Sequence, residues 1–278
     1  IKGRLFITAD DYFVLFINGK YVLEGPTTGY PFAYPYYEFD VTSYLIEGKN
    51  TLSVHTYYRG LVNRVTVSGD NRSGLIMLLM VETDGGNEVV IKSDKDWKCL
   101  PVEAYLPSNT IGYRTQFLEN IDMRKYPHRW VEVDYDDSSW MTPAVRDCDY
   151  KFVKHDIKPI SVVPVYPSYH KVLGDGLHFY DFGREIVGYT RIKVKGEKGK
   201  KIVVYHGEEL DENGRVRWRM RANCDYREEV ILSGEDEVIP FFEYRAFRYV
   251  EVENAPENIP GLKGKTMSKE NIVIMRKK

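Results

Sequence analysis

The sequence predicts an all-β protein made of two β-sandwiches and a long connection between them. Short runs of apolar or alternating residues recur along the chain, bounded by Gly, Pro, Asn and Asp, which is the pattern of short strands joined by turns. No stretch shows a 3.6-residue apolar period over three helical turns, so long amphipathic helices are not expected. The 22 Tyr, 12 Phe and 4 Trp among 278 residues also favour strands.

The first sandwich is expected over residues 1–92. Asn18-Gly19 separates two strand-like runs, and this dipeptide predicts a β-hairpin because both of its turn positions need a positive φ. The continuous apolar run 75–81 is typical of a strand buried on both faces. Two prolines interrupt the aromatic run 30–37, so an irregular loop or a poor edge strand is expected there.

Residues 93–159 are rich in Trp, Pro, Asp and Ser and have weak periodicity. We expect them to form a connection that wraps the sandwiches, with Trp97, Trp130 and Trp140 as anchors. Short alternating strands return over 160–256 and predict the second sandwich. Residues 257–278 begin with Pro and Gly and are expected to form a truncated linker.

Charge and cysteine content exclude several classes of protein. Lys and Arg total 39 against 41 Asp and Glu, a net charge of −2. Nucleic-acid binders and polybasic membrane-surface proteins carry a basic surplus, so neither a nucleic acid nor a membrane is an expected partner. The three separated cysteines, Cys99, Cys148 and Cys224, predict free and mostly buried thiols, which favours the cytoplasm over secretion.

Three motifs in the first half resemble the accessory jelly-roll module at the front of bacterial α-L-rhamnosidases. They are A-D-D-Y followed by N-G-K within residues 9–20, D-V-T-x-x-L-x-x-G-x-N over 40–50, and an aromatic-Arg-Gly step at 58–60. The positions that carry this match are Asp10, Asp11, Asn18, Gly19 and Asp40. For Asn18-Gly19 and Asp40, a purely structural role in turns is the alternative.

The rest of the chain resembles later parts of the same family. Residues 119–124 and 136–140 are similar to its E-x-x-D-A-R and D-D-S-x-W segments, and 181–189, 206–214, 225–226 and 247–252 to motifs of its concanavalin-like β-sandwich. The matched positions are Asp122, Arg124, Asp181, Gly183, Gly188, Glu208 and Arg248. For Asp122 and Arg124, a structural ion pair competes with a role in holding a sugar hydroxyl. Arg184 and Glu185 stand where the family usually has Gln and Asn, so no sugar-binding role is carried onto either residue. Two further positions depart from the family pattern, since Ala246 replaces the usual Gly and Met123 the usual Ala.

The resemblance implies a non-catalytic N-terminal portion of an α-L-rhamnosidase. In that family an (α/α)6 barrel after these modules carries the acid and base that cleave terminal α-L-rhamnosides with inversion. This chain has neither the length nor the helical periodicity for that barrel, and it opens at Ile1 inside a strand-like run, so a truncated and inactive fragment without catalytic residues is expected. Its partners would be the missing barrel and a rhamnose-containing carbohydrate, and it would act in domain packing, substrate access and carbohydrate binding.

Two ligand sites are considered on the first module. The faces of Tyr rings stack on the apolar C–H faces of sugars, and the candidates are Tyr34, Tyr36, Tyr37, Tyr57 and Tyr58 with Arg59, with ordinary packing as the alternative. A structural Ca²⁺ is common in jelly-roll sugar modules, and Asp10, Asp11, Asp70 and Asn71 supply oxygens, although no defined calcium loop occurs. The scattered histidines predict no transition-metal site and no other cofactor.

Arginine alternates with other residues at 215, 217, 219 and 221. In an extended segment these side chains would share one face, which could be a solvated face, a nucleic-acid groove or a surface that docks on an acidic patch of the barrel. Two other functions compete for the whole chain. One is a self-sufficient carbohydrate-binding protein, and the other is a surface adhesion or assembly module without sugar contact.

Overall fold

Strands make up nearly all of the regular structure, which confirms the all-β prediction. The computed structural model describes residues 1–62, 72–256 and, by backbone alone, 272–277. The first ten strands are β1 (Lys2–Asp10), β2 (Tyr12–Ile17), β3 (Lys20–Gly25), β4 (Tyr34–Asp40), β5 (Leu52–Tyr57), β6 (Gly74–Glu82), β7 (Glu88–Lys92), β8 (Thr110–Ile111), β9 (Gln116–Phe117) and β10 (Ile121–Asp122). The others are β11 (Phe152–Lys154), β12 (Val162–Val165), β13 (Tyr169–Gly174), β14 (Leu177–Val194), β15 (Lys201–Gly207), β16 (Arg227–Ile231), β17 (Glu237–Pro240), β18 (Arg245–Glu253) and β19 (Ile272–Lys277).

Helical structure in the described residues is limited to three single 3-10 turns, at Thr42–Tyr44, Met123–Lys125 and Arg221–Asn223. None of these is long or apolar enough to cross a membrane.

The chain divides into two units. The first contains Ile1–Pro101 and Arg129–Ile160, and the second contains Val102–His128 and Ser161–Lys278. The stretch predicted as a connection, 93–159, is therefore shared between the units. Strand β19 lies within the range predicted as a linker, 257–278, and the remainder of that range lies outside the described residues.

The first unit is a sandwich of a five-stranded and a three-stranded sheet. The strand orders are β11-β4-β1-β6-β7 and β3-β2-β5. Alternate residues of β1 and β2 meet in one apolar core, in which Leu5, Phe13, Leu15 and Leu79 are fully buried. Trp97 packs at the margin of this core and donates its indole N–H to the Lys92 carbonyl oxygen at 2.9 Å.

Two strands of the first unit differ from expectation. The apolar strand β6 is buried on one face only, because Met77 and Leu79 lie in the core while Ile76 is 42% exposed. The proline-containing run is not an edge, since β4 lies between β1 and β11. Pro35 has no N–H to donate to the sheet, and its carbonyl oxygen accepts a hydrogen bond from Thr8 Oγ1 at 2.7 Å.

The second unit is built on one sheet of nine strands. Seven follow the order β10-β16-β15-β18-β14-β19-β12, and β13 and β17 pair with β14 beside this path. The 18-residue strand β14 is thus hydrogen-bonded along its length to β13, β17, β18 and β19. Its inward side chains, among them Tyr180, Phe182 and Ile192, contribute to a large apolar core.

The three cysteines are free thiols, as predicted, but the expected burial was wrong. Cys148 is exposed, and Cys99 and Cys224 are only half-buried.

Candidate functional site

The Asn18-Gly19 hairpin forms as predicted and does more than turn the chain. Asn18 and Gly19 have φ values of 52° and 75°, which connect β2 to β3. The Asn18 Nδ2 donates to the Tyr44 carbonyl at 2.9 Å and to Asn50 Oδ1 at 2.8 Å, and Asn18 Oδ1 accepts from the Thr51 N–H at 2.9 Å. The side chain therefore joins the first family motif to the end of the second, a role that the turn signal alone does not reveal.

Asp40 takes the turn role proposed for it. Its Oδ1 accepts a hydrogen bond from the Thr42 N–H at 2.9 Å, while Thr42 Oγ1 accepts from the Gly3 N–H at 3.0 Å. Hydrogen bonding to Thr42 holds the pKa of Asp40 below its usual range. This carboxylate is engaged within its own turn.

Asp10 and Asp11 lie at the end of β1 and join the first motif to the third. Asp11 Oδ2 accepts from the Arg59 N–H at 2.7 Å, and Asp10 Oδ2 accepts from the Tyr150 hydroxyl at 3.1 Å. Burial, and secondly the neighbouring Asp11 charge, raise the pKa of Asp10 to about 6 despite the hydrogen bond from Tyr150.

Asp10 and Asp11 are also the two residues of the candidate calcium site that the structure describes. Asp70 and Asn71 lie outside the described residues, and both Asp10 and Asp11 already accept hydrogen bonds from protein donors. Within the part of the chain that the structure describes, no three His, Cys, Asp or Glu side chains form a group that could hold a metal ion. A calcium ion here stays a prediction.

Two of the candidate sugar-stacking tyrosines are interior residues. Tyr34 is 5% exposed and donates its hydroxyl to the Ala9 carbonyl at 3.0 Å. Tyr37 is 4% exposed and packs edge-on against Phe13, with ring centroids 6.4 Å apart. Because their rings are enclosed, neither presents a face to a sugar, and the expectation for these two is wrong.

The other members of that set are half-buried. Tyr36 packs against Phe6 with ring centroids 6.3 Å apart, and the Arg59 guanidinium lies 5.5 Å from the centre of the Tyr57 ring. Tyr58 is half-buried at the end of β5. Sugar contact by Tyr36, Tyr57, Tyr58 and Arg59 stays a prediction.

In the second unit, Asp122 and Arg124 form the predicted ion pair. Arg124 donates from Nε to Asp122 Oδ1 at 2.8 Å and from Nη2 to Oδ2 at 2.7 Å. The Asp122 carboxylate also accepts the Arg124 N–H at 3.2 Å, which caps the 3-10 turn that follows β10. These hydrogen bonds hold the pKa of Asp122 below its usual range.

A second bidentate pair joins the two strongest motifs of the concanavalin-like match. Arg248 donates from Nε and Nη2 to the two carboxylate oxygens of Asp181 at 2.8 and 2.9 Å. Asp181 Oδ1 also accepts from the Gly183 N–H at 2.7 Å, inside a bulge of β14 where Gly183 has a φ of 78°. A side chain at Gly183 would be strained by this φ and would place its Cβ 3.0 Å from Ser168 Oγ. Gly188 is buried beyond the bulge, where β14 pairs with both β18 and β19.

Glu208 follows β15 at the surface. Partial loss of solvent raises its pKa, and the charges of Glu185 and Glu209 act in the same direction. Glu209 itself pairs with Arg217, with 2.6 Å between Nη2 and Oε2.

The alternating arginines do not share one face. Residues 215–220 do not form a strand, and the side chains diverge to different partners. Arg215 pairs with Glu251, Arg217 with Glu209 and Arg219 with Asp225. The prediction of a single basic face was wrong because the segment folds back on neighbouring carboxylates.

Sequence reasoning missed a buried charged cluster, which we define as Glu119, His206, Glu228 and Arg245. Arg245 Nη2 contacts Glu228 Oε1, and His206 Nδ1 lies 3.3 Å from Glu228 Oε2. Glu119 accepts from the N–H groups of Phe242, at 2.8 Å, and Glu243, at 2.9 Å. All four side chains are at most 5% exposed. Alternation of these charges with apolar residues in β15, β16 and β18 was the one available signal.

Burial dominates the electrostatics of this cluster. It raises the pKa of Glu119 to about 8, although the Arg245 charge acts against it. Burial lowers the pKa of His206, so the imidazole is neutral. Burial alone would raise the pKa of Glu228, but the Arg245 charge and a hydrogen bond from His206 outweigh it and lower the pKa.

Comparisons with known proteins agree with the motifs. Residues 1–164 match the family model of the α-L-rhamnosidase N-terminal domain, and 171–273 match that of the bacterial α-L-rhamnosidase concanavalin-like domain. An α-L-rhamnosidase of Streptomyces avermitilis is 27% identical over 274 residues, which is 92% of this chain and 25% of the relative. One of an Alteromonas species is 24% identical and covers 92% of this chain and 29% of its own length.

Solved structures give the same result. The α-L-rhamnosidase of Dictyoglumus thermophilum superposes with a TM-score of 0.78 at 26% identity, covering 100% of this chain and 30% of that one. The Streptomyces avermitilis enzyme complexed with L-rhamnose has a TM-score of 0.78 at 25% identity, covering 99% and 27%. The chain thus spans a quarter to three tenths of the length of these relatives and matches the family model of the N-terminal domain.

Proposed function

This chain belongs to the α-L-rhamnosidase family, and we propose that it is the accessory N-terminal portion of an enzyme that hydrolyses terminal α-L-rhamnosides. In this proposal, the two units support a catalytic barrel encoded by the same gene. They shape the approach of rhamnose-containing carbohydrate to that barrel, and they do not carry out the reaction themselves.

The observation that carries the proposal is the engagement of the motif carboxylates. Asp11, Asp40, Asp122 and Asp181 each accept hydrogen bonds from backbone or arginine donors of their own unit. Such groups organise turns and strand ends. The residues by which the chain matches the family therefore serve to build the modules.

Glycoside hydrolysis needs a different arrangement of acids. An inverting pair stands about 6.5–9.5 Å apart to leave room for a water molecule, and a retaining pair about 5–5.5 Å. Asp10, the motif aspartate with a raised pKa, lies within hydrogen-bonding reach of Asp11, and both carboxylates already accept hydrogen bonds from protein donors. This closeness supports a non-catalytic role for the motif aspartates.

Assay of the 278-residue chain with an aryl α-L-rhamnoside tests the proposal directly. We expect no release of the aryl group above the buffer rate. Turnover that survives further purification and is lost in Asp10→Asn or Asp181→Asn would contradict it. Sequencing the gene beyond the codon for Lys278 provides an independent test, since we expect an open reading frame for a helical barrel.

The role in substrate access is tested in the longer protein. Tyr58→Ala is expected to raise KM for a polymeric rhamnoside several-fold and to leave kcat and KM for a small aryl rhamnoside unchanged. Tyr113→Ala, at a position 80% exposed in the second unit, serves as the control. Equal effects of Tyr58→Ala on both substrates would contradict a role in access.

A further inference from the structure

An open pocket of about 400 Å³ lies in the second unit beside the chain between β15 and β16. None of the family motifs assigns it a role, although its volume is in the range of small-molecule sites. It is lined by Tyr205, Asp211, Asn213, Arg215, Val216, Trp218 and Glu251.

A buried carboxylate is fixed inside this pocket. Glu251 is 2% exposed, and Arg215 Nε donates to both of its oxygens at 2.9 Å. The Val216 N–H donates to Glu251 Oε1 at 3.1 Å. The Arg215 side chain remains 42% exposed, so the pocket presents a guanidinium in a fixed orientation, with donors on a planar fork.

Two aromatic side chains form the apolar part of the pocket. The rings of Tyr205 and Trp218 have centroids 5.8 Å apart and are inclined at 41°. The Tyr205 hydroxyl is held by Glu253 Oε2 at 2.5 Å. The backbone of Trp218 is held on both sides, since its N–H donates to Val216 and its carbonyl accepts from Tyr226, each at 3.0 Å. The Arg219 guanidinium lies over the Trp218 ring, 4.8 Å from its centre, and restrains the indole as Glu253 restrains Tyr205.

The polar rim is a tight turn that positions Asp211 and Asn213. Asp211 Oδ1 accepts from the N–H groups of Asn213 and Arg215, both at 2.9 Å. Gly214, with a φ of 73°, closes the turn by donating its N–H to the Asp211 carbonyl at 3.0 Å. The exposed carboxylate and amide at this rim supply hydrogen-bond acceptors and donors beside the aromatic rings.

From this combination we propose that the pocket binds a neutral glycosyl residue. Aromatic walls offer apolar faces for the C–H groups of a sugar ring, and the carboxylate, amide and guanidinium match its hydroxyl groups. Two carboxylates against one guanidinium disfavour anionic sugars such as uronates. Among the described residues, no three His, Cys, Asp or Glu side chains form a group that could hold a metal ion, and a single unpaired carboxylate here does not make a cation site.

The pocket itself is independent of the proposed function, but the choice of L-rhamnose as the first ligand rests on it. Both the pocket proposal and the proposed function can be tested by titrating the 278-residue chain with L-rhamnose, D-glucose, D-mannose and D-glucuronate. Binding is followed by tryptophan fluorescence and NMR. We expect saturable binding of a neutral sugar with a Kd on the order of 1 mM and none of glucuronate. CaCl₂ is the cation control and is expected to leave the Trp218 signal unchanged.

Three variants locate the binding. Trp218→Ala is expected to weaken it about tenfold, the loss of one aromatic contact. Asp211→Asn keeps an Oδ1 acceptor for the turn and is expected to weaken it several-fold without altering the circular dichroism spectrum. Trp140→Ala, in the first unit, is the matched control and is expected to bind like the unmodified chain.

The outcomes separate the two proposals. Binding of L-rhamnose that is lost in Trp218→Ala supports both. Binding of another neutral sugar but not L-rhamnose, lost in the same variant, supports the pocket and contradicts the proposed substrate class. Absence of saturable binding by every neutral sugar, or binding unaffected by Trp218→Ala and Asp211→Asn, overturns the pocket proposal.

Discussion

The two units differ in how many polar and charged side chains they bury. Among the described residues, the first unit buries four polar or charged side chains: Thr8, Asp10, Glu24 and Ser53. The second unit buries ten: Glu119, Asp122, His178, Thr190, His206, Glu228, Glu237, Glu243, Arg245 and Glu251. Both also contain a continuous apolar core, so the difference lies in the charges within otherwise similar β architectures.

This contrast indicates two ways of specifying a β fold. The first unit uses neutral and acidic side chains at its turns, such as Asn18 and Asp40, to fix the ends of strands around an apolar interior. The second unit places mutually compensating charges between its strands. Buried ion pairs add little net stability but are costly to break, so the two units should differ in their response to mutation and pH.

The largest expected effect comes from breaking the buried charged cluster. Arg245→Met leaves Glu228 buried beside only a neutral imidazole, and we expect the second unit to lose about 3–5 kcal/mol of unfolding free energy. Hydrogen exchange measured by mass spectrometry across β15 and β18, compared with β1 and β6, would show the loss in one unit only.

Two comparisons sharpen this experiment. The double variant Arg245→Met with Glu228→Met should recover much of the loss, because no uncompensated charge remains. Arg129→Met in the first unit breaks an exposed pair with Glu132 and should cost at most about 1 kcal/mol. Equal losses for Arg245→Met and Arg129→Met would show that the second unit does not depend on its buried charges.

The pH dependence of the two units is the next expected difference. The pKa of Glu119 rises from 4.5 to about 8 on folding, so between about pH 6.5 and 8 the folded unit holds a proton that the unfolded chain has lost. The second unit should therefore lose stability as the pH rises across this window, by about 1.4 kcal/mol per pH unit. Below about pH 6.5 the lowered pKa of His206 acts in the opposite direction, since the unfolded imidazole then binds a proton that the folded one does not.

Glu119→Gln isolates this contribution. The amide oxygen still accepts from the Phe242 N–H but does not titrate, so the slope above pH 6.5 should disappear, whereas the exposed variant Glu235→Gln should retain it. In the first unit, the pKa of Asp10 rises from 3.8 to about 6 on folding. This unit should therefore lose stability as the pH rises from about 4 to about 6. If the unfolding free energies of both units fell equally with pH above pH 6.5, the predicted difference in pH dependence would be wrong.

The third expected effect concerns the turns of the first unit. Asn18→Ala removes three side-chain hydrogen bonds and places a Cβ-bearing residue without them at a φ of 52°, so we expect a loss of about 2 kcal/mol. Asn18→Gly accepts this φ and should lose about 1 kcal/mol less. Urea unfolding followed by exchange in β2, β3 and β5 would measure it, and equal loss of protection in β18 would contradict a local effect.

Part of this architecture could be predicted from local patterns because local physics determines it. The Asn18-Gly19 hairpin follows from φ preferences within four residues, and the Asp122–Arg124 pair from a spacing of two. The position of β4 inside a sheet could not be predicted, since it depends on a parallel partner, β11, more than a hundred residues further along the chain. The apolar run of β6 did not reveal that one face of its sheet stays partly exposed.

The candidate sites show the same limit. A cluster of tyrosines in sequence does not distinguish ring faces open to solvent from Tyr34 and Tyr37, which point into the interior. The pocket at Trp218 combines residues 205–218 with Glu251 from another strand, so no single motif contains it. Tertiary packing decides which strands that are distant in sequence contribute side chains to one site, and local sequence patterns do not reveal this.

The bulge of β14 has a consequence for how this module tolerates change in length. Asp181 pairs with Tyr249 and Ile186 with Phe247, so four residues of β14 stand opposite a single residue of β18. Phe182 is buried in the core, but the three residues after it are exposed. A residue inserted among those three would lengthen a surface segment, whereas one inserted elsewhere in β14 would turn every following side chain to the wrong side of the sheet. Arg184 and Glu185, which depart from the family pattern, lie in this segment and are exposed. The bulge is therefore a place where the sequence can diversify while the Asp181–Arg248 pair keeps both halves of the strand aligned.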